Sequence, residues 1–346
     1  MKFNYEDLIT GRTFIIAEMS ANHGGDINIA KDTIKAAKES GADAIKIQTY
    51  TADTMTIDCE NDYFKIQQGT LWDGRFLHEL YQEAFTPWEW QKELKEFAES
   101  IGLIFFSTPF DKTAVDFLEE IGVELYKVAS FEITDIPLIE YIASKGKPMI
   151  MSTGIATEDE IEEALQVCKK MGNERVVLLK CTSSYPSPIE DANLLNIKTI
   201  SEKYGVVSGL SDHTLGVEAS IVAVSLGAKI IEKHFIMDKS IGGPDAEFSM
   251  IPEHFKNLVS GIRTVETLLG KEEYTLTEKQ RKNRKFSRSL FIVKSVKRGE
   301  LLTDENVRSI RPGDGMKPKF LPEVLGKRFN SDFNKGTPLT TDMFEE

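Results

Sequence analysis

The chain has 346 residues, of which 41% are hydrophobic, enough to bury a substantial core and to build one large domain with a smaller one. A formal net charge of -13 opposes non-specific binding to nucleic acid or to an anionic membrane surface. No apolar stretch approaches the ~20 residues of a membrane helix, and the opening MKFNYEDLITGR lacks the apolar run of a secretory signal, so the expected compartment is the cytoplasm. Cys59, Cys168 and Cys181 are odd in number, so they cannot all pair within one chain, and they lack CxxC spacing, which points away from a disulfide framework or a zinc ribbon. Cys181, beside Thr182 and Ser183, is the thiol closest to a strand end.

Strand-like apolar runs occupy 13–22, 42–50, 103–110, 124–130, 148–154, 175–183, 206–213 and 229–235, with helical periodicity between them. In 29–39, Ile29, Thr33, Ala36 and Ala37 share a face opposite Lys31, Lys35 and Lys38. Alternating strand and helix implies parallel pairing with right-handed crossovers, and eight such units are the size of a closed α/β barrel of the (β/α)8 TIM type. An open doubly wound sheet is the alternative, but residues 20–25 (SANHGG) do not match the GxGxxG turn that usually opens one. In a barrel the strand ends converge on one mouth.

The first run ends at Glu18, with Asn22 and His23 just beyond it. A carboxylate on the inner wall needs a partner or a chemical role, either a salt bridge to Lys46 or the handling of a proton or hydroxyl. Lys46 and Gln48 alternate toward one face of the second run, while Lys127 and Ser130 extend the fourth. Two lysines in one mouth repel unless an anion lies between them, and Lys180 and Lys233 also stand at strand ends. Hydroxyls at Ser107, Thr108, Ser130, Ser152, Thr153, Ser183 and Ser211 complete what reads as a cradle for phosphate or carboxylate. Lys127 or Lys180 could instead form a Schiff base with a carbonyl substrate. A long insertion at 51–88, bearing Tyr63, Phe64, Trp72, Phe76, Leu77 and Tyr81, is either a functional loop or a hydrophobic plug. His213 and His234 end consecutive runs, and strand neighbours lie ~4.8 Å apart, so the two imidazoles could share a divalent cation or simply hydrogen-bond at the mouth.

The barrel pattern fills 1–270, the charged stretch 271–287 reads as a linker or surface helix, and a second apolar pattern fills 288–346. That tail is rich in turn signals (RPGDG at 311–315, LGK at 325–327, NKGTPLT at 334–340), as in a small β-dominated module. A module of this size is expected to lack a robust core and to pack on another surface.

The segments FIIAEMSANHGG, AIKIQTYT, LWDGR, KVASFE, LKCTSSYP, GLSDHT, IEKHF and RSLF together resemble the sialic acid synthase family, and the likeness runs over nearly the whole chain. The resemblance implies a metal-dependent (β/α)8 barrel joined to a small C-terminal antifreeze-protein-like (SAF) domain that is exchanged across a homodimer. It implies a transferase that condenses phosphoenolpyruvate with an N-acetylated sugar and water into a nine-carbon nonulosonic acid, releasing phosphate. Within the family, the wording is most like the branch that uses 2,4-diacetamido-2,4,6-trideoxy-L-altrose. His213 and His234 are implied as ligands of a divalent metal, with Mn2+ usual and Mg2+ or Co2+ tolerated. Lys46, Thr108 and Lys127 are implied for the phosphoenolpyruvate carboxylate, and Ser130, Ser152 and Ser211 for its phosphate. Ser183 stands where sialic acid synthases carry asparagine. Tyr185, Asp245 and Glu18 are implied on the sugar side, with Arg311 binding the acetamido group. Glu18 is the candidate for moving protons, and Glu232 the weaker one, since its strand position leaves an outward orientation open.

Overall fold

The computed structural model describes residues 3–345; Met1, Lys2 and Glu346, which the ranges 1–270 and 288–346 take in, lie outside them. The eight parallel strands are β1 Phe14–Glu18, β2 Ala44–Thr49, β3 Ile104–Pro109, β4 Tyr126–Val128, β5 Met149–Ser152, β6 Val176–Cys181, β7 Val207–Asp212 and β8 Ile230–His234. They pair in chain order and β1 closes on β8, giving the expected barrel.

Each strand is shorter than its apolar run, for local reasons. After Glu18 the Asn22 N–H donates to Met19 O and Ser20 takes φ 46°, so the chain leaves the sheet. β4 keeps three residues because Ser130 opens a 3-10 turn, Ser130–Glu132. His213 stands one residue beyond β7.

Strand alternation divides the side chains into a lumen and an outer layer. The lumen holds Ile16, Phe106, Leu125, Ile150, Leu179 and Ile230, all buried. A Cβ on Gly209 would come within 2.5 Å of Ile230 O and 2.7 Å of Leu179 Cδ2, so only glycine fits that turn of the lumen. Leu8, from the helix Tyr5–Thr10, packs on the same cluster and closes the floor, a burial worth about 2 kcal/mol. Outside, amphipathic helices such as Ile27–Glu39 bury Ala30, Ile34 and Ala37 against the strands. The helix Glu158–Lys170 opens on a Thr157–Glu160 capping box, with acids in its first turn and lysines in its last.

The 51–88 insertion is not one loop. It forms the helices Ala52–Met55 and Leu77–Ala84, a 3-10 turn Asp62–Phe64, and an antiparallel bridge between Lys65 and Phe76.

The chain divides into two compact units, Met1–Gly270 and Lys271–Glu346. In the second, β9 Ser289–Ile292 pairs antiparallel with β10 Val307–Ile310, preceded by a short helix, Glu278–Asn283. Contrary to the expectation from its size, this unit has its own core, built from residues such as Leu290, Ile292, Leu302, Val307, Phe329 and Leu339. Among the described residues no helix is long and apolar enough to cross a membrane.

Candidate active site

The strand register builds the mouth from the residues upward. Lys46 lies beside Glu18, and Glu18 beside His234, across β2, β1 and β8. Ser211 lies beside Glu232 across β7 and β8. Two-residue alternation from the lumen side chains carries Glu18, Lys46, Thr108, Lys127, Ser152, Ser211, Glu232 and His234 to the same inner face.

Lys46 Nζ is 2.7 Å from Glu18 Oε2, 3.6 Å from Glu232 Oε1 and 3.3 Å from Thr108 Oγ1. Both readings of Glu18 therefore begin from an ion pair with Lys46, and Gln48 Nε2 donates to its other oxygen at 3.3 Å. Glu232 points inward, not outward: it is buried, with Ser211 Oγ donating to Oε1 at 3.3 Å. Burial pushes the Glu18 carboxyl up to about 7 against the pull of Lys46. Burial acts on Glu232 in the same sense, but Lys46 and Lys127 overcome it and hold that carboxyl below its ordinary value.

The second lysine faces hydroxyls. Lys127 Nζ donates to Ser152 Oγ at 2.6 Å and Val128 O at 2.9 Å, and burial lowers its pKa. Ser183 Oγ donates to Ser130 Oγ at 2.8 Å, and Ser130 also accepts from Ile155 N–H at 3.2 Å. A side chain on Gly154 would overlap Ser183 Oγ and come within 2.6 Å of Ser130 Oγ, so glycine there is what lets the two hydroxyls meet.

Four expected members of the ring stand elsewhere. Lys233 is in the outer layer, 2.9 Å from Asp212 Oδ2. Lys180 turns back on Cys181 O and Thr182 Oγ1. Ser107 donates to Ile47 O and meets Thr49 on the helix side, and Thr153 donates to Leu179 O. In each case alternation places the side chain on the face opposite the lumen.

The imidazoles of His213 and His234 have ring centroids 5.4 Å apart. His213 Nδ1 lies 3.1 Å from Thr182 O; as the donor there it leaves Nε2 with a free lone pair. His234 Nδ1 is buried without a hydrogen-bond partner, and Asp245 Oδ2 is 3.6 Å away. Burial, then His213 and the lysines, drive the His234 pKa well below its ordinary value, so its imidazole is neutral at neutral pH. Burial acts to lower the His213 pKa, but Cys181 and the Thr182 carbonyl outweigh it and raise it, so a cation held there would displace a proton from His213. The orphaned, neutral His234 and the adjacent His213 fit a divalent cation that keeps open positions for water or substrate. Among the described residues no set of three or more His, Cys, Asp or Glu forms a closed metal cage.

Tyr185 stacks 4.4 Å from His213 and 5.3 Å from Phe248. Trp72 reaches over from the insertion, 5.7 Å from the Tyr185 ring, with its indole N–H donating to Pro244 O at 3.1 Å next to Asp245. Burial raises the pKa of both Tyr185 and Asp245. Arg311 follows β10 in the second unit and is exposed.

One residue escaped sequence reasoning. Glu132 is mostly buried, its Oε2 has no partner, and burial raises its pKa to about 7, partly offset by Lys127. The available signal was a carboxylate two residues past the Lys127–Ser130 strand end. A cavity of about 470 Å3 at the other end of the barrel, lined by Tyr5, Glu124, Lys147 and Arg175, contains none of these groups.

Residues 33–274 match the NeuB family and residues 287–345 the SAF domain. A pseudaminic acid synthase from Helicobacter pylori is 48% identical over 332 residues, covering 96% of this chain and 97% of that one. An N,N'-diacetyllegionaminic acid synthase from Legionella pneumophila is 38% identical over 337 residues, covering 96% and 94%. Among solved structures, the N-acetylneuraminic acid (sialic acid) synthetase of Leptospira borgpetersenii in complex with citrate aligns with TM-score 0.71 and 36% identity, over 79% of this chain and 90% of that one.

Proposed function

The chain belongs to the NeuB family, and on that premise we propose that it catalyses the pseudaminic acid synthase reaction. Phosphoenolpyruvate and 2,4-diacetamido-2,4,6-trideoxy-L-altrose condense with water, giving pseudaminic acid and phosphate. The observation that carries this reading is the meeting of His213 and His234 with Lys46 and Lys127 in one buried mouth, within a chain 48% identical to a pseudaminic acid synthase.

In this reading Lys46, Thr108 and Lys127 hold the phosphoenolpyruvate carboxylate, and Ser130, Ser152, Ser183 and Ser211 hold its phosphate. An anion placed between the lysines offsets the mutual repulsion of their like charges. His213 and His234 would hold a divalent metal, assigned as Mn2+ with Mg2+ or Co2+ as substitutes. When bound, such a cation polarises the open-chain sugar aldehyde as a Lewis acid. C3 of phosphoenolpyruvate attacks that aldehyde carbon, leaving an oxocarbenium at C2. Water adds at C2, and the tetrahedral intermediate expels phosphate by C–O cleavage. Glu18, pushed up to about 7, is suited to exchange a proton near neutral pH, and Glu232, ionised beside it, keeps Lys46 charged. Tyr185 and Asp245 orient the sugar.

We assign 1–270 to the catalytic barrel, 271–287 to a linker and 288–346 to the SAF domain. Arg311 then reads the acetamido group across a domain-swapped homodimer. The reaction belongs in the cytoplasm, the compartment that supplies phosphoenolpyruvate.

The test is phosphate release from phosphoenolpyruvate with the L-altrose derivative, N-acetylmannosamine or the legionaminic precursor, each with and without a chelator. Turnover is expected with the L-altrose sugar, lost on chelation, and weaker with the other two by roughly 10- to 200-fold, the range that single-group differences in a pocket supply. A covalent adduct trapped by borohydride, or turnover without metal, would replace this reading with a Schiff-base aldolase.

A further inference from the structure

We infer that the buried Asp212–Lys233 pair is a positioning device that sets the spacing of His213 and His234. Asp212 and Lys233 are register partners on β7 and β8, and each immediately precedes one of the histidines. Strand alternation sends their side chains into the outer layer while the imidazoles face the mouth.

Lys233 Nζ donates to Asp212 Oδ2 at 2.9 Å and to Thr214 O at 2.6 Å. Asp212 Oδ1 accepts from Thr214 N–H at 2.9 Å and from Thr214 Oγ1 at 2.7 Å, and Oδ2 accepts from Ser220 Oγ at 2.6 Å. The carboxylate thus takes four donors, and the turn carrying His213 is gripped through both the N–H and the C=O of Thr214. The same ammonium anchors β8 one residue before His234.

The side chains of Asp212 and Lys233 are 1% and 2% exposed. Replacing a buried ion pair of this kind by well-packed apolar residues is often neutral or stabilising, so stability does not account for it. What apolar side chains cannot supply is direction: four aimed hydrogen bonds hold one backbone turn at a fixed height against the next strand. Small errors in ligand placement weaken metal binding, which is why groups behind a ligating histidine matter roughly 10- to 100-fold.

This inference rests on the metal-binding part of the proposed function, so the experiment separates the two. Mn2+ is titrated into the full-length protein and the free ion is followed by electron paramagnetic resonance, with thermal melting and phosphoenolpyruvate binding measured alongside. If the unsubstituted protein binds no Mn2+, the metal assignment itself fails. If it binds, Asp212→Asn is expected to weaken Mn2+ roughly 10- to 100-fold while phosphoenolpyruvate binding without metal is retained. The double variant Asp212→Leu/Lys233→Met, which leaves the Thr214 and Ser220 donors without their acceptor and so melts lower, is expected to bind Mn2+ poorly even at temperatures where it is fully folded, whereas a merely structural pair would leave the affinity of the folded protein unchanged. Should Asp212→Asn not fold, Ser220→Ala, which removes one hydrogen bond, carries the test with a loss of a few-fold. Unchanged Mn2+ affinity in the folded variants, or full affinity in the double variant, would overturn the proposal.

Discussion

At the floor of the barrel, Arg263 donates to Thr13 O, to Glu266 and to Asp43, and Asp43 in turn accepts from Ile15 N–H. At the mouth, Lys46 is shared unevenly between two carboxylates, while Glu132 Oε2, Glu232 Oε2 and His234 Nδ1 are buried without hydrogen-bond partners. Native interiors leave few polar atoms unpaired. Charges whose bonding is complete hold strands and helices together. Those left with unused capacity mark where something else is to bind, and this contrast locates the working end of the barrel more sharply than charge alone.

The comparison breaks most directly at Lys127. Among the described residues no carboxylate lies within salt-bridge range of it, so Lys127→Met removes a buried, desolvated charge that has only longer-range carboxylates, such as Glu232 and Glu132, to offset it in the free protein. The expected outcome is a fall in kcat/KM of roughly 10²- to 10³-fold with the melting temperature unchanged or raised. Retained activity would return this lysine to the scaffold. Arg263→Met should do the reverse, lowering stability by about 1–3 kcal/mol in denaturant unfolding while kcat/KM stays near its starting value.

The smallest effect separates the ends by the sign of their pH dependence. Burial raises Glu132 to about 7, so the folded state prefers its protonated form. Its contribution is most favourable at low pH and is lost as pH climbs from the unfolded value near 4.5 to about 7. Glu132→Gln should therefore stabilise the protein at pH 8, by no more than about 3 kcal/mol, with the gain vanishing toward pH 4.5. Glu266 is also desolvated, but Thr13 N–H and Arg263 hold it below its ordinary value. Its contribution is present above the unfolded pKa and lost on acidification. Glu266→Gln should then lower the melting temperature at pH 7, with a difference that shrinks as the pH falls. Parallel pH profiles for the two variants would dissolve the distinction between floor and mouth.

The barrel was legible because eight apolar runs and their helical spacers repeat one pattern, and Lys46 and Lys127 were legible because each interrupts an apolar run at its mouth end. Glu232 and Lys233 were harder. Both faces of a barrel strand are buried, so a run such as 229–235 lacks the polar alternation that would show which of two adjacent charged residues turns inward. Glu132 lies past its strand, where a 3-10 turn rather than strand alternation aims the side chain. The core of the second unit was missed because its members are scattered between turns, with no period to read.

Gly154 carries a further consequence. The backbone there has no left-handed strain, so alanine would be conformationally acceptable, and the obstacle is volume alone. A methyl group is the smallest addition the genetic code offers, and it already overlaps the Ser183 hydroxyl. Even that smallest addition would make the Ser183 and Ser130 hydroxyls rotate apart, so the identity of residue 154, which makes no bond of its own to the pair, acts as an on-off control over whether the two hydroxyls meet.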